Sequence, residues 1–197
     1  MPPRPRTDLG PVPFTATLEH QPRDERGPAP ERVPGGPLAR LAAVHSRHYR
    51  GKWSLTFGDV PVKLKTHVDL GSVEELFVFL VELVDGGFGE WSIEDKDELL
   101  VVEATVNGVD VDLEFGDGDG GEARFRRVRF PKRATVRLAA VVNECARLLR
   151  RLVVDASVAD PEFGDEPALA ELREDLAALT EAVAGMPEAF RSKEPVA

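Results

Sequence analysis

Cysteine occurs once in the sequence, at Cys145. That excludes an intrachain disulfide and any zinc centre built on several thiolates, and it accords with a reducing compartment. Long apolar runs are missing as well: no stretch approaches the roughly 18 residues that a membrane span requires. The opening MPPRPRTDLGPVPF lacks the apolar core of a secretory signal, so a cytoplasmic, non-membrane protein is expected. The short motifs that announce chemistry are lacking too. There is no HExxH or CxxC for a metal and no G-x-S-x-G for a nucleophilic serine, which points away from an enzyme of the commonest hydrolase and redox classes.

Positive charge is in deficit. Twenty-five Lys+Arg against 35 Asp+Glu give a net charge of −10. The deficit is uneven: 8 basic and 5 acidic residues in 1–50 (+3), 14 and 19 in 51–154 (−5), 3 and 11 in 155–197 (−8). An acidic body and tail do not offer the basic footprint that nucleic acid demands, whereas like charge favours solubility. Arginine outnumbers lysine 19 to 6, a bias of GC-rich bacterial genomes.

What is present divides into three parts. Ten of the sixteen prolines fall within residues 1–37, and with few apolar residues among them this leader is expected to be disordered. Residues 38–154 carry the patterning of an α+β domain, with a short leading helix over 38–48. Residues 155–197 read as an acidic loop, a helix over about 167–185 and a flexible tail. Within the domain the expected order is β-β-α-β-β-β-β-α, an antiparallel sheet of about six strands with helices packed on one face.

The local signals behind this order are specific. Val62, Leu64, Thr66 and Val68 alternate with charged residues, a period of two that makes a half-buried strand. Ser72-Val73-Glu74-Glu75 has the form of a capping box ahead of the apolar helix VEELFVFLVELV, which stops at Gly86-Gly87. Asn107-Gly108 between alternating segments predicts a tight hairpin. Beyond it Val109, Val111, Leu113 and Phe115 face one way, and Asp110, Asp112 and Glu114 the other. EARFRRVRF reads as the next strand, with a bulge near Arg126-Arg127 to restore its phase. Leu138, Val141, Val142, Cys145, Leu148, Leu149 and Leu152 form a single helical stripe. Pro167 opens the last helix behind Asp165 or Glu166, and Gly185 ends it.

Candidate chemistry is sparse. Gly116, Gly118 and Gly121 in EFGDGDGGEARF satisfy G-x-G-x-x-G. A dinucleotide loop, however, leads from a strand into a helix, whereas a strand-like segment follows here and Asp117 and Asp119 would repel phosphate. Two spaced aspartates are also too few for a calcium loop, so no cofactor and no metal are expected. Phe-Gly-Asp recurs at 57–59, 115–117 and 163–165, and Gly-x-Trp-Ser at 51–54 and 89–92, too irregularly for a solenoid. His45 and His48 read as surface histidines at the domain entrance, His20 as part of the leader, and Cys145 as a small core hydrophobe.

Charge carries the remaining expectation. Asp110, Asp112 and Glu114 should face Arg124, Arg126, Arg127 and Arg129 across a strand pair. Lys132, Arg133 and Arg137, continuing from Arg127 and Arg129 toward the next helix, are the expected contact for an acidic partner or a phosphate. These motifs carry no resemblance to a named family. The sequence favours a non-catalytic protein-binding module, an adaptor, inhibitor or immunity-type protein. Two alternatives are a small-molecule sensor or enzyme with a pocket between sheet and helices, and weak nucleic-acid binding through the cluster from Arg124 to Arg137.

Overall fold

In the computed structural model of the chain the described residues are 12–23, 36–57, 63–67, 70–95, 98–117, 124–125, 128–129 and 132–188. The chain runs β1 (Phe14–Pro22), α1 (Pro37–His48), β2 (Tyr49–Phe57), β3 (Lys63–His67), α2 (Leu70–Gly86), β4 (Phe88–Asp95), β5 (Glu98–Asn107) and β6 (Asp110–Gly116). It continues through β7 (Arg124–Phe125), β8 (Val128–Arg129), β9 (Arg133–Arg137), α3 (Leu138–Ala159), α4 (Pro161–Gly164) and α5 (Pro167–Ala182). The class is α+β with antiparallel sheets.

The strands do not form one six-stranded sheet. They divide into β1-β2-β3, β4-β5-β6-β9 and the short ribbon β7-β8. A single parallel bridge, Val12 to Val136, ties the lead-in to β1 to β9, and the Val12 amide donates to the Thr135 carbonyl at 2.7 Å. Two strands account for the difference. β1 lies inside the Pro-rich leader, where Phe14 and Ala16 are buried while Thr15 and Thr17 are exposed. β9 has no counterpart in the expected order, which passes from EARFRRVRF straight to a helix: Val136 pairs with Val111 and is fully buried, and α3 begins at Leu138.

Helices cover the buried side of these sheets. α2 packs on β4, α3 on β1 and β9, α1 against α2 and α3, and α5 on α3. Strand faces explain why: Val111, Leu113 and Phe115 of β6, and Leu100, Val102 and Ala104 of β5, are all buried, while Asp112 and Glu114 are exposed. Each Gly-x-Trp-Ser segment lies in a strand, β2 or β4, and brings Trp53 or Trp91 into the core. The whole apolar stripe of α3, from Leu138 to Leu152, is buried. α5 starts with Glu166 at its N-cap and Pro167 in the first turn, and it lays Leu169, Leu172, Leu176 and Leu179 inward. α2 buries Val73, Leu76, Phe79, Leu80 and Leu83 on one face and leaves Val78 exposed.

Three local expectations shift. α2 begins at Leu70, so Ser72 sits within the helix and not at its cap. Asn107 pairs with Asp110, which makes Gly108 and Val109 the hairpin loop; Gly108 takes the first loop position at φ +66°, as both primed turns require. Residues 126 and 127, site of the expected bulge, lie outside the described residues, and Phe125 pairs with Val128 in the ribbon.

Gly89 sets how closely α2 approaches β4. A Cβ there would lie 3.1 Å from both Phe79 Cδ2 and the Phe79 carbonyl oxygen, and 3.3 Å from Leu83 Cγ. Gly86, by contrast, has open space around it. Gly89→Ala is therefore expected to cost about 1–3 kcal/mol by overpacking, and Gly86→Ala close to nothing. Urea unfolding midpoints decide it; equal midpoints for the two variants would contradict this packing.

Candidate functional site

The acidic strand does not face Arg124 and Arg129 as expected; it meets a different basic strand. β6 pairs with β9 and not with the segment 124–130. Arg137 Nη1 lies 2.7 Å from Asp110 Oδ1, and Arg133 Nη2 lies 2.6 Å from Glu114 Oε1. Thr135 completes the row by donating to Asp112 Oδ1 at 2.7 Å. Arg133 and Glu114 are largely exposed, and such a pair contributes little. The positive charge expected to draw a partner is thus balanced at Arg133 and Arg137. Lys132 is exposed at the entry to β9, Arg129 pairs in register with Arg124, and Arg127 lies outside the described residues. Residues 118–123 of the glycine loop are outside them too; β6 ends at Gly116, and the next described element is the strand β7.

The denser constellation lies elsewhere, where β1, α1, β2 and α3 converge. β1 pairs with β2 so that His20 stands opposite Gly51 and Pro22 opposite Tyr49. α1 runs directly into β2, which puts His45, in its last turn, four residues before Tyr49. α3 continues to Ala159, so Asp155, expected in a loop, is a buried helical residue. His45 is fully buried and not a surface group. Its ring stacks on Tyr49, with centroids 5.0 Å apart and planes 25° from parallel. His20 meets both rings edge-on, at 5.0 Å from Tyr49 and 5.9 Å from His45.

Asp155 anchors the cluster. Arg151 Nε donates to its Oδ2 at 2.9 Å, and His20 Nε2 lies 3.4 Å from the same oxygen. Neither nitrogen of His45, nor Nδ1 of His20, has a hydrogen-bond partner among the described residues. A buried polar atom left this way costs roughly 1–3 kcal/mol, so the position is either a liability or a site. Burial, with His20 adding to it, pushes the His45 imidazole down to about 4 against the pull of Asp155. His45 is therefore neutral at pH 7 and offers a lone pair.

A cleft of about 820 Å³ adjoins the cluster and shares His20 and Tyr49 with it. Arg23, Arg50, Lys52, Glu19, Gln21 and Ser46 line the rest, with Gly51 between. Arg23 Nε donates to the Tyr49 carbonyl at 3.2 Å, which fixes one cation at the rim. Cys145 is sealed in the core, where burial pushes its thiol up, so it takes no part.

No signal local to the sequence joins these residues: His20, His45 and Asp155 are 25 and 110 positions apart. The one available hint was a histidine on the apolar side of α1, at helical spacing from Leu38, Leu41 and Ala42. Comparison with protein-family models, with curated proteins and with solved structures finds no match to this chain. The chemistry must be read from these residues themselves.

The burial of His45 has a measurable consequence. Between its folded value of about 4 and an unfolded value of about 6.5, the unfolded chain binds a proton that the folded chain does not. Stability from this group is full above about pH 6.5, declines as pH falls toward 4 and is flat below; the total is on the order of 3 kcal/mol. The groups that meet His45 are His20 from β1, Tyr49 from β2 and Asp155, held by Arg151, from α3. In chelator-treated buffer, urea unfolding of the wild type should steepen with acid across this window relative to His45→Phe. Parallel pH profiles would contradict it.

Proposed function

We propose that this protein is a non-catalytic, cytoplasmic binding protein that takes a small, anion-bearing ligand in the cleft between β1–β2 and the ends of α1 and α3. The observation that carries the reading is His45, a fully buried imidazole with no partner among the described residues, touching two rings of an open cleft. Around it Arg23, Arg50 and Lys52 gather positive charge against Glu19 on a chain of net charge −10. A concave site with a few convergent polar groups is where a ligand binds by default. Guanidinium and ammonium groups together select carboxylate or phosphate. The hydroxyls that line the cleft are engaged with backbone, Ser46 Oγ donating to the Ala43 carbonyl at 3.0 Å and Tyr49 Oη to the Asp155 carbonyl at 3.5 Å, and this favours binding over turnover.

A second reading, docking of another protein, draws on the outer face of β4-β5-β6-β9. Leu99 and Val101 floor a groove there between Glu90, Glu103, Lys132 and Arg133. Among the described residues no helix is long and apolar enough to cross a membrane.

The cleft reading is tested by NMR on the full chain, with chelator present, against a panel of carboxylates, phosphates and nucleotides. At least one should shift the His20 and Tyr49 ring resonances with one-to-one saturation, and Arg50→Glu or Lys52→Glu should weaken it about tenfold. A panel that leaves both rings unmoved would overturn it.

A further inference from the structure

We infer that His20, His45 and Asp155 form a binding site for one divalent transition-metal ion of the borderline class, with Zn²⁺ as its representative. The inference rests on the cleft being a ligand site, and it names an ion at the cleft's inner wall. Three ligating side chains come from three separate elements, β1, α1 and α3, and one donor atom from each lies within 4.8 Å of the others. Metal–ligand bonds of 2.0–2.1 Å in tetrahedral array set donors about 3.3 Å apart. His20 Nε2 and Asp155 Oδ2, at 3.4 Å, already match that spacing. The remaining adjustment is a closure of at most about 1.5 Å, within reach of side-chain rotation.

The independent sign is again His45. A neutral imidazole presents one lone pair and one N–H, and neither ring nitrogen of His45 has a partner among the described residues; a metal ion bound at one nitrogen would take up the lone pair. Two imidazoles and one carboxylate suit zinc, nickel, cobalt or iron, whereas calcium and magnesium require more oxygens. Two neighbours orient the ligands as outer-shell partners do. Arg151 holds Asp155 by its Oδ2, and Tyr49 fixes the plane of His45 by stacking. The Arg151 charge also opposes the ion's own and lowers the expected affinity. Three protein ligands leave a fourth position for water or for the anionic group of a ligand.

The test uses the full chain after chelator treatment. Calorimetric titration with Zn²⁺ should give one ion per chain, Co²⁺ should raise a visible absorption band, and Mg²⁺ and Ca²⁺ should give no heat. His20→Ala and Asp155→Asn should each weaken Zn²⁺ at least tenfold, with circular dichroism checking that the fold is kept, and His48→Ala should leave it unchanged. These two variants carry the test because His45→Ala empties a core position. Absence of Zn²⁺ and Co²⁺ binding at millimolar concentration overturns the inference, as does one-ion binding that His20→Ala and Asp155→Asn leave intact. If the ions fail while an organic anion moves the His20 and Tyr49 resonances, the metal site falls and the ligand cleft stands; if neither acts, both fall.

Discussion

The Ala16 amide of β1 donates to Glu144 Oε2 at 3.1 Å and its carbonyl accepts from Arg147 Nη2, while Arg147 and Glu144 pair with each other at 2.8 Å. Two charged side chains of α3 thereby do for β1 what a neighbouring strand would do, satisfying donor and acceptor on the side not paired with β2. Charge-assisted hydrogen bonds of this kind are roughly twice as strong as neutral ones. Partial burial pushes the Glu144 carboxyl up, but Arg147 and the Ala16 amide outweigh it and hold it below the usual carboxylate range. The clamp sits at the one strand whose sequence neighbours offer it least, and everything about the His20 site depends on β1 lying where the clamp puts it.

Below the clamp the energetics are apolar. Phe14 and Ala16 enter the same core as Trp53, Leu55 and the stripe of α3, and burial of such side chains is worth about 1.5–3 kcal/mol for each large one. Hydrophobic burial chooses the face of β1, and the Glu144–Arg147 pair fixes its position along α3. A second tie holds the far end of the helical layer. Arg40 of α1 pairs with Glu166 at the cap of α5, and Arg150 donates to the Leu176 carbonyl and to Thr180. The last helix, though it follows the acidic segment, is thus part of the packed body.

Elements whose signal is local were legible in the sequence. The stripe on α3, the alternation in β6 and the glycine of the β5–β6 hairpin are each decided within a few residues, and their burial follows the pattern. β1 was obscured although its alternation of Phe14, Ala16 and Leu18 with Thr15, Thr17 and Glu19 is regular, because the surrounding prolines dominate the composition. β9 is hidden because Thr-Val-Arg-Leu continues smoothly into the helical stripe; only pairing with β6, across 19 to 27 positions, makes it a strand. That same non-local choice reassigned the charge ladder from Arg124–Arg129 to Arg133 and Arg137. The histidine site was the least legible of all. It requires β1, the burial of one face of α1 and the extension of α3 past Asp155, none of which a residue spacing announces.

Ala16 and Glu144 are separated by 128 positions. A chain emerging from the ribosome will have produced β1, α1, β2 and the β4–β6 hairpins long before α3 is complete, and such long-range closures are slow compared with local ones. The Glu144–Arg147 clamp on β1 therefore closes only once α3 has been made, later than the β1–β2 pairing. Any nascent or truncated product that lacks α3 would carry His20 and His45 without the carboxylate that unites them.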